Sequence, residues 1–422
     1  MNNGVVGFVI ENIFRNPPIL LGLIAALGLI LQKKDLGNVI KGALLASFGM
    51  YILQEGTGLL VGAIAPINVL FQNLSESGGG KALADTYVAD YGGTVGTAMA
   101  LGFVIHLMIA RFTKIKVIFL TGHFLWWFPF IFVAAGVEAG LSGVALVGFG
   151  AVTSALYWSL MPWALRKYVF AVTEDESFTL GHPSGILSLI SGKVAQIVGN
   201  KEKSTESLNL PKGLSFFKEV SIMGGTVIFL MFIVLGLTVQ GAFTDTGKTL
   251  VIYAFDQALM FGAGLIIMLQ GVRMLVNQII PAFQGISERL VPNAIPALDC
   301  PILFNYKPNA AIIGFVVAMV ISTVLIIISN ITGLFGVILI PLVITSFFEC
   351  GTAAVIAEGQ GGLRGAVIGT GVAAVFMVAF VGVSAMIYST TIQDWILIFG
   401  GNGLSFFGTI AKLIGGLIGQ II

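Results

Sequence analysis

The chain has 422 residues, of which 57% are hydrophobic and only 10% charged, with a formal net charge of +1. So little polar surface could not cover a water-soluble body of this length, which excludes a soluble globular domain and makes a lipid bilayer the expected solvent. The near-zero charge gives no support for nucleic-acid binding, and the two cysteines, Cys300 and Cys350, offer neither a disulfide framework nor metal-ligand spacing.

In chain order, the start Met1-Asn2-Asn3-Gly4 lacks a basic segment, and Glu11, Arg15 and Pro17-Pro18 interrupt the first apolar run, so no cleavable signal peptide is expected. At about 20 apolar residues per crossing, about eleven spans are predicted: 18–32, 38–54, 94–110, 116–136, 140–164, 221–241, 250–272, 309–330, 332–348, 365–388 and 402–421. The 55 glycines suit helices that pack closely or break midway. Lys33, Lys34 and Lys41, then Arg111, Lys114 and Lys116, then the basic residues of 166–218 all fall on one side of this arrangement. By the positive-inside rule that side is cytoplasmic and the N-terminus is outside. The opposite loops, such as Val137-Glu138-Ala139 and Thr244-Asp245-Thr246, are short and poor in Lys and Arg.

Two stretches repeat one another about 215 residues apart. Leu53-Gln54 followed by Leu60-Val61-x-x-Ile64-x-Pro66 returns as Leu269-Gln270 followed by Leu275-Val276-x-x-Ile279-x-Pro281. An acid then closes a Gly- or Pro-rich stretch in each copy, Asp85 lying 19 residues after Pro66 and Asp299 lying 18 after Pro281. Five spans precede the long polar loop, and an odd number per half makes the repeat inverted, an arrangement that in transporters brackets a site near the midplane. Asn73-Leu-Ser-Glu-Ser-Gly-Gly-Gly80 and Gln284-Gly-Ile-Ser-Glu-Arg-Leu-Val-Pro292 break the apolar rhythm at equivalent places and read as re-entrant or hairpin segments. The predicted fold is therefore an all-α polytopic membrane protein. Its single membrane-embedded unit, 1–422, divides into a first repeat (1–165), a cytoplasmic linker (166–220), a second repeat (221–390) and a C-terminal helix (391–422).

The linker carries Thr173-Glu-Asp-Glu-Ser177, Gly181-His182-Pro183-Ser184-Gly185 and Asn200-Lys-Glu-Lys-Ser-Thr-Glu206. Within it, the apolar run 186–198 reads either as part of a solvated connection or as a segment folded back to the membrane; in the second case His182 faces a cavity.

Ionisable residues inside spans are costly and mark function. His123 precedes the aromatic run Phe124-Leu125-Trp126-Trp127-Phe128, a pattern that fits a wall of indole faces and N–H donors for a sugar-like ring, or else a structural histidine. His106, on a Gly/Ala/Leu span, reads as structural. Asp85 and Asp299 are either loop-capping acids or cavity residues, and their symmetric placement favours the cavity. Glu55, Asp256, Glu349 and Glu358 lie near or within spans as ligands or as partners of neighbouring helices.

At these residues the chain resembles the membrane IIC subunit, ascorbate type, of the bacterial phosphoenolpyruvate-dependent phosphotransferase system. The matching pieces are Gln54-x-Gly56-Thr57-Gly58, Asp85-Thr86-Tyr87, Leu120-Thr121-Gly122-His123, Ser154-x-Leu156-Tyr157-Trp158, Gly181-His182, Lys193-Val194-Ala195, Leu210-Pro211, Gln270-Gly271-Val272-Arg273-Met274, Phe283-x-Gly285-Ile286-Ser287-x-Arg289-Leu290 and Asp299-Cys300. With the apolar spans around them, the resemblance covers about residues 19–420 in order.

The resemblance implies a homodimer in the bacterial inner membrane, each protomer with a scaffold and a mobile core that carries one substrate across among the membrane lipids. Phosphorylation is then done by a phosphocysteine on a separate IIB protein, itself charged by IIA. The chain ends at Ile422 straight after an apolar span, so no IIA or IIB domain is expected to be fused, and no catalytic residue, cofactor or metal is expected in it. Carried over residue by residue, the implied substrate ligands are Gln54, Gly56, Thr57, Thr86, Tyr87, His123, Phe124, Leu125, Trp126, Trp127, His182, Pro183 and Asp299. L-Ascorbate is the implied substrate, its anion met by histidine and backbone donors and its hydroxyls by Asp299. Trp127 and Pro183 stand where the family's ascorbate carriers place glutamines, which keeps a pentitol, another sugar acid or a related polyol open. Two rival readings are an ion-coupled secondary transporter using Asp85, Asp299 and Glu349, and a passive channel or structural membrane protein.

Overall fold

The computed structural model describes residues 8–9, 12–13, 16–74, 83–207, 219–239, 241–388 and 390–420, with backbone alone at 68, 71–74, 83–86, 88, 245, 394 and 398. Residues 75–80 of the first polar break, the side chains of Asp85 and Thr86, and Leu210-Pro211 lie outside the described residues. The fold is an all-α polytopic membrane fold. In order it runs α1 (Pro17–Leu31), α2 (Leu36–Leu74), α3 (Leu83–Phe112), β1 (Val117–Phe119), α4 (Gly122–Glu138), α5 (Gly143–Thr173), β2 (Thr179–Leu180), α6 (Gly185–Val198), α7 (Val220–Thr238), α8 (Leu250–Arg289), β3 (Ile295–Leu298), α9 (Pro308–Thr332), α10 (Gly351–Ile387), α11 (Gln393–Phe399) and α12 (Gly403–Gly419). Among the described residues seven helices are long and apolar enough to cross a bilayer, and α1, α4, α6 and α12 are shorter apolar helices. Their outer stripes, such as Val320, Val324, Ile327 and Ile331 on α9, are exposed apolar surface that lipid would cover.

Some expected boundaries moved. The spans predicted at 38–54 and 250–272 end later, because α2 and α8 continue as helix through Pro66 and Pro281 to Leu74 and Arg289. The predicted span 332–348 is not helical over its first part. Gly333 and Gly336 take positive φ (66° each), and Asn330 uses its side-chain amide for both backbone groups of Leu339, at 2.8 and 2.9 Å. Helix resumes at Val343–Thr345, swells into a π-turn at Ser346–Cys350 and continues as α10.

The two repeat copies lie on α2 and α8, which cross antiparallel with almost no side chain between them. A Cβ on Gly56 would sit 2.2 Å from the Met268 nitrogen, and one on Gly264 2.9 Å from the Gly56 oxygen. One helical stretch away, a Cβ on Gly271 would sit 2.3 Å from the Leu53 nitrogen, and one on Gly49 2.6 Å from the Leu275 nitrogen. Small residues of this kind are how helices approach closely where no water drives association. α1 packs on α2 and α8, and α7 packs on α8, completing one helical group. In the other, α3 and α4 pack on α5, α6 and α9 on α10, and α12 on α4.

Inside this second group, three short strands form a parallel sheet in the order β1-β3-β2. His106 stabilises its edge: Nε2 accepts the Phe119 amide at 3.0 Å while Nδ1 meets the Ser159 hydroxyl at 2.8 Å, so this buried imidazole is structural.

α10 itself is broken at Gly361 (φ −150°, ψ 20°) and Gly362 (φ 59°, ψ −157°). The segment 200–205 closes that break. Asn200 donates its amide to the Gly361 carbonyl at 2.8 Å, and Leu363 donates to Lys203 at 2.7 Å. The buried carboxylate of Glu358 accepts from Ser204 Oγ at 2.6 Å and pairs with Lys307 Nζ at 3.2 Å. Backbone groups freed by a helix break at membrane depth need partners of this kind.

Candidate functional site

The three strands run parallel, so their C-terminal ends open on the same place, and each delivers an ionisable side chain there: His123 after β1, His182 after β2 and Asp299 after β3. Ligand sites at the carboxyl ends of parallel strands follow the general rule for such sheets. The turns are tied together by Leu120 donating to the Ala297 carbonyl (2.9 Å), Gly181 donating to Leu298 (2.8 Å) and Thr121 Oγ1 donating to Gly181 (2.6 Å).

Asp299 is the hub. Its Oδ1 accepts the Cys300 amide at 2.7 Å and lies 3.7 Å from His182 Nε2, while Oδ2 lies 3.8 Å from His123 Nε2. Both imidazole separations exceed a direct hydrogen bond, and a hydroxyl set to one side could bridge the groups. The proton on His182 is assignable from its neighbours. Nδ1 accepts the Ser184 amide at 3.1 Å, so in the neutral ring the proton sits on Nε2, facing Asp299. The backbone of this turn is fixed as well: Tyr157 Oη donates to the His182 carbonyl at 2.9 Å, and Gly403 donates to that of Pro183 at 2.8 Å. Donor atoms of His182, Asp299 and Cys300 lie within 4.8 Å of one another, a spacing that serves hydroxyl recognition as readily as a metal.

These groups line a cavity of about 380 Å³, within the range of small-molecule sites. From α2 it receives Met50, Leu53, Gln54, Thr57 and Val61; from α4 His123, Phe124 and Trp127; from the π-turn region Ile344, Thr345, Phe348 and Glu349. Trp395 and Phe399 of α11, with Asn402 and Leu404, complete the wall. His123 is 38% exposed into it, against 11% for Asp299 and 6% for His182, so the carboxylate and second imidazole sit deeper. The Thr57 hydroxyl is buried without a protein partner, an arrangement that favours a bound hydroxyl or water.

The residues singled out from sequence divide clearly. Gln54, Thr57, His123, Phe124, Trp127, His182 and Asp299 line the cavity. Leu125 and Trp126 are buried elsewhere, because positions 123, 124 and 127 share a face of α4 and 125 and 126 turn away from it. Gly56 is spent on the α2–α8 crossing. Tyr87 is buried, its hydroxyl donating to the Phe130 carbonyl at 2.9 Å. Pro183 contributes its carbonyl to α12 rather than a side chain to the cavity. Glu55 is exposed, Asp256 pairs with Lys248, and Glu358 holds the α10 break. Asn402, Trp395 and Cys300 also line the cavity without having been read as ligands. Asn402 sits in Gly400-Gly401-Asn402-Gly403 just before an apolar helix, a helix-start signal that could have drawn notice.

Comparison with known proteins places the geometry in context. The family model described as "PTS system sugar-specific permease component" (EIIC-GAT) matches residues 12–403. The "Ascorbate-specific PTS system EIIC component" of Mycoplasma pneumoniae is 26% identical over 429 residues, covering 86% of this chain and 64% of that protein. The chain thus spans a little under two thirds of that relative's length.

Proposed function

Because the chain belongs to the sugar-specific permease components of the phosphotransferase system, we propose that it is a membrane-embedded translocating subunit that binds L-ascorbate, or a related sugar acid or polyol, and moves it inward. The observation that carries this reading is the convergence of His123, His182 and Asp299 in one cavity with the unpartnered Thr57 hydroxyl. Imidazole N–H groups donate to substrate oxygens and Asp299 accepts from hydroxyls, the complementarity that a polyhydroxylated ligand requires. The ascorbate-type relative supports the substrate class.

Coupling follows from the family. A separate IIB protein, charged by IIA, phosphorylates the substrate on the cytoplasmic side, and the chain itself does no phosphoryl chemistry. The distribution of ligands supports an elevator motion. Apart from the α2 face carrying Gln54 and Thr57, the polar lining comes from the second helical group, which would carry substrate past a glycine-locked scaffold of α1, α2, α7 and α8. The antiparallel α2–α8 crossing supports inverted halves. A homodimer in the bacterial plasma membrane, with the N-terminus outside, completes the proposal.

A second reading, ion-coupled transport, draws on the two carboxylates, Asp299 and Glu349, that line the cavity. Binding of radiolabelled L-ascorbate to the purified protein, with pentitols, hexitols and sugar acids as competitors, tests the site. Saturable binding is expected. Accumulation in vesicles of unmodified substrate that collapses with the ion gradient would favour the second reading; dependence on phosphorylated IIB supports the first.

A further inference from the structure

Glu349 lies away from the strand-end cluster in sequence and element. The π-turn at Ser346–Cys350 inserts an extra residue into the helix start and turns this buried carboxylate onto the cavity wall, a use of π-turns common at functional sites. Thr345 Oγ1 donates to the Gly400 carbonyl at 3.3 Å, tying the turn to the end of α11.

Asn402 holds Glu349 in place. Its Oδ1 accepts the Leu404 amide at 2.9 Å as the cap of α12, and Nδ2 donates to Glu349 Oε1 at 2.7 Å and to the Phe399 carbonyl at 3.0 Å. The asparagine is thereby consumed as a mount, and the group it presents to the cavity is the carboxylate. A carboxylate has about four acceptor positions, and Asn402 Nδ2 is the one side-chain donor that reaches it among the described residues. No lysine or arginine is among the residues lining this cavity. A buried carboxyl at membrane depth with no cationic partner either holds a proton or needs donors to offset its desolvation, and in both forms its oxygens can meet substrate hydroxyls.

We propose that Glu349, mounted on Asn402, is a second hydroxyl-binding group of the cavity, delivered by a different element from His123, His182 and Asp299, and determines selectivity for the substrate hydroxyls that face it. The inference rests on the reading that this cavity binds a polyhydroxylated substrate. For L-ascorbate, the ring oxygens face the histidine–aspartate cluster and the side-chain hydroxyls face Glu349.

The test compares equilibrium binding of L-ascorbate and 6-deoxy-L-ascorbate to the full-length protein in detergent. Wild type is expected to prefer L-ascorbate about ten-fold, the size of one hydrogen bond. Glu349→Ala should erase that preference by weakening L-ascorbate while leaving the deoxy analogue nearly unchanged. Equal losses for both compounds, the signature of a merely structural role, would overturn the proposal, as would an intact preference. Should Glu349→Ala fail to fold, Glu349→Gln preserves volume and one acceptor and is expected to cut the preference to about three-fold; an unchanged preference in that variant overturns the proposal equally. Wild type that binds neither compound would instead overturn the underlying reading of the cavity.

Discussion

The indole of Trp127 is stacked on that of Trp395, ring centres 5.1 Å apart and planes 23° from parallel, and both line the cavity. Trp127 comes from α4 and Trp395 from the short α11, so the pair joins two elements distant in sequence into one aromatic wall. Stacked pairs contribute about 0.5–1.5 kcal/mol beyond area burial. A glutamine at 127 would remove that stack and restore an amide to the wall. Trp127→Gln is therefore expected to shift the order of preference across a panel of L-ascorbate, sugar acids and pentitols, and Trp395→Ala to weaken binding of every member. Competition against one radiolabelled ligand measures both. An unchanged order in Trp127→Gln would reduce the pair to packing.

Asp299→Ala should abolish binding while leaving the fold intact. The carboxylate faces two imidazoles at 3.7 and 3.8 Å and is fixed by one backbone amide. Deleting it removes the shared acceptor, and each lost hydrogen bond to a charged group weakens binding by about 1.5–3 kcal/mol, or roughly ten- to hundred-fold. Asp299→Asn, which keeps the shape and the oxygen but adds a donor, should fall between. Titration calorimetry, with size-exclusion profiles to confirm folding, reads the outcome; wild-type affinity in a folded Asp299→Ala protein would remove the residue from the site.

The α2–α8 crossing predicts where a single methyl is tolerated. On Gly56 or Gly271 it would enter backbone at 2.2 or 2.3 Å, whereas on Gly58, two residues from Gly56, nothing lies within 4 Å. Overpacking of this type costs about 1–3 kcal/mol. Gly56→Ala and Gly271→Ala should thus lower the thermal midpoint in detergent. Gly58→Ala should leave it unchanged or raise it slightly, because alanine is the better helix former. Equal behaviour at 56 and 58 would contradict the close crossing.

Much of this was legible in the sequence because membranes impose strong patterns. The apolar runs gave most helices, and the repeated Leu-Gln and Pro signatures marked α2 and α8, the pair that cross at their glycines. His123, His182 and Asp299 were legible because ionisable groups in apolar surroundings are conspicuous. The sheet was not: strands of two to four residues carry no periodicity, and their pairing joins residues about 120 and 180 positions apart. Trp395 and Asn402 were hidden for the same reason, since only tertiary packing brings α11 and the α12 cap to α4 and the π-turn. Leu125 and Trp126 lie off the cavity lining although the motif is contiguous, because a helix turns about 100° per residue.

The break in α10 sets the last prediction. Gly362 adopts φ 59° and ψ −157°, a region essentially restricted to glycine, where any side chain costs about 1–3 kcal/mol. A Cβ there would also lie 2.3 Å from the Asn200 oxygen and 2.4 Å from that of Lys203. Gly362→Ala must therefore expel the segment 200–203 from the break, releasing the bond from Leu363 to the Lys203 carbonyl. Glu358→Gln should loosen the same segment by a different route, because it weakens the acceptor shared by Ser204 Oγ at 2.6 Å and the Thr205 amide at 3.3 Å while sparing the backbone of the break. Lys201 and Lys203 make the segment a trypsin target once it detaches. Limited digestion of the purified protein should cut both variants at these lysines at least several-fold faster than wild type, with Gly362→Ala the faster. A wild-type cleavage rate in Gly362→Ala would show that the break accommodates a side chain without releasing the segment.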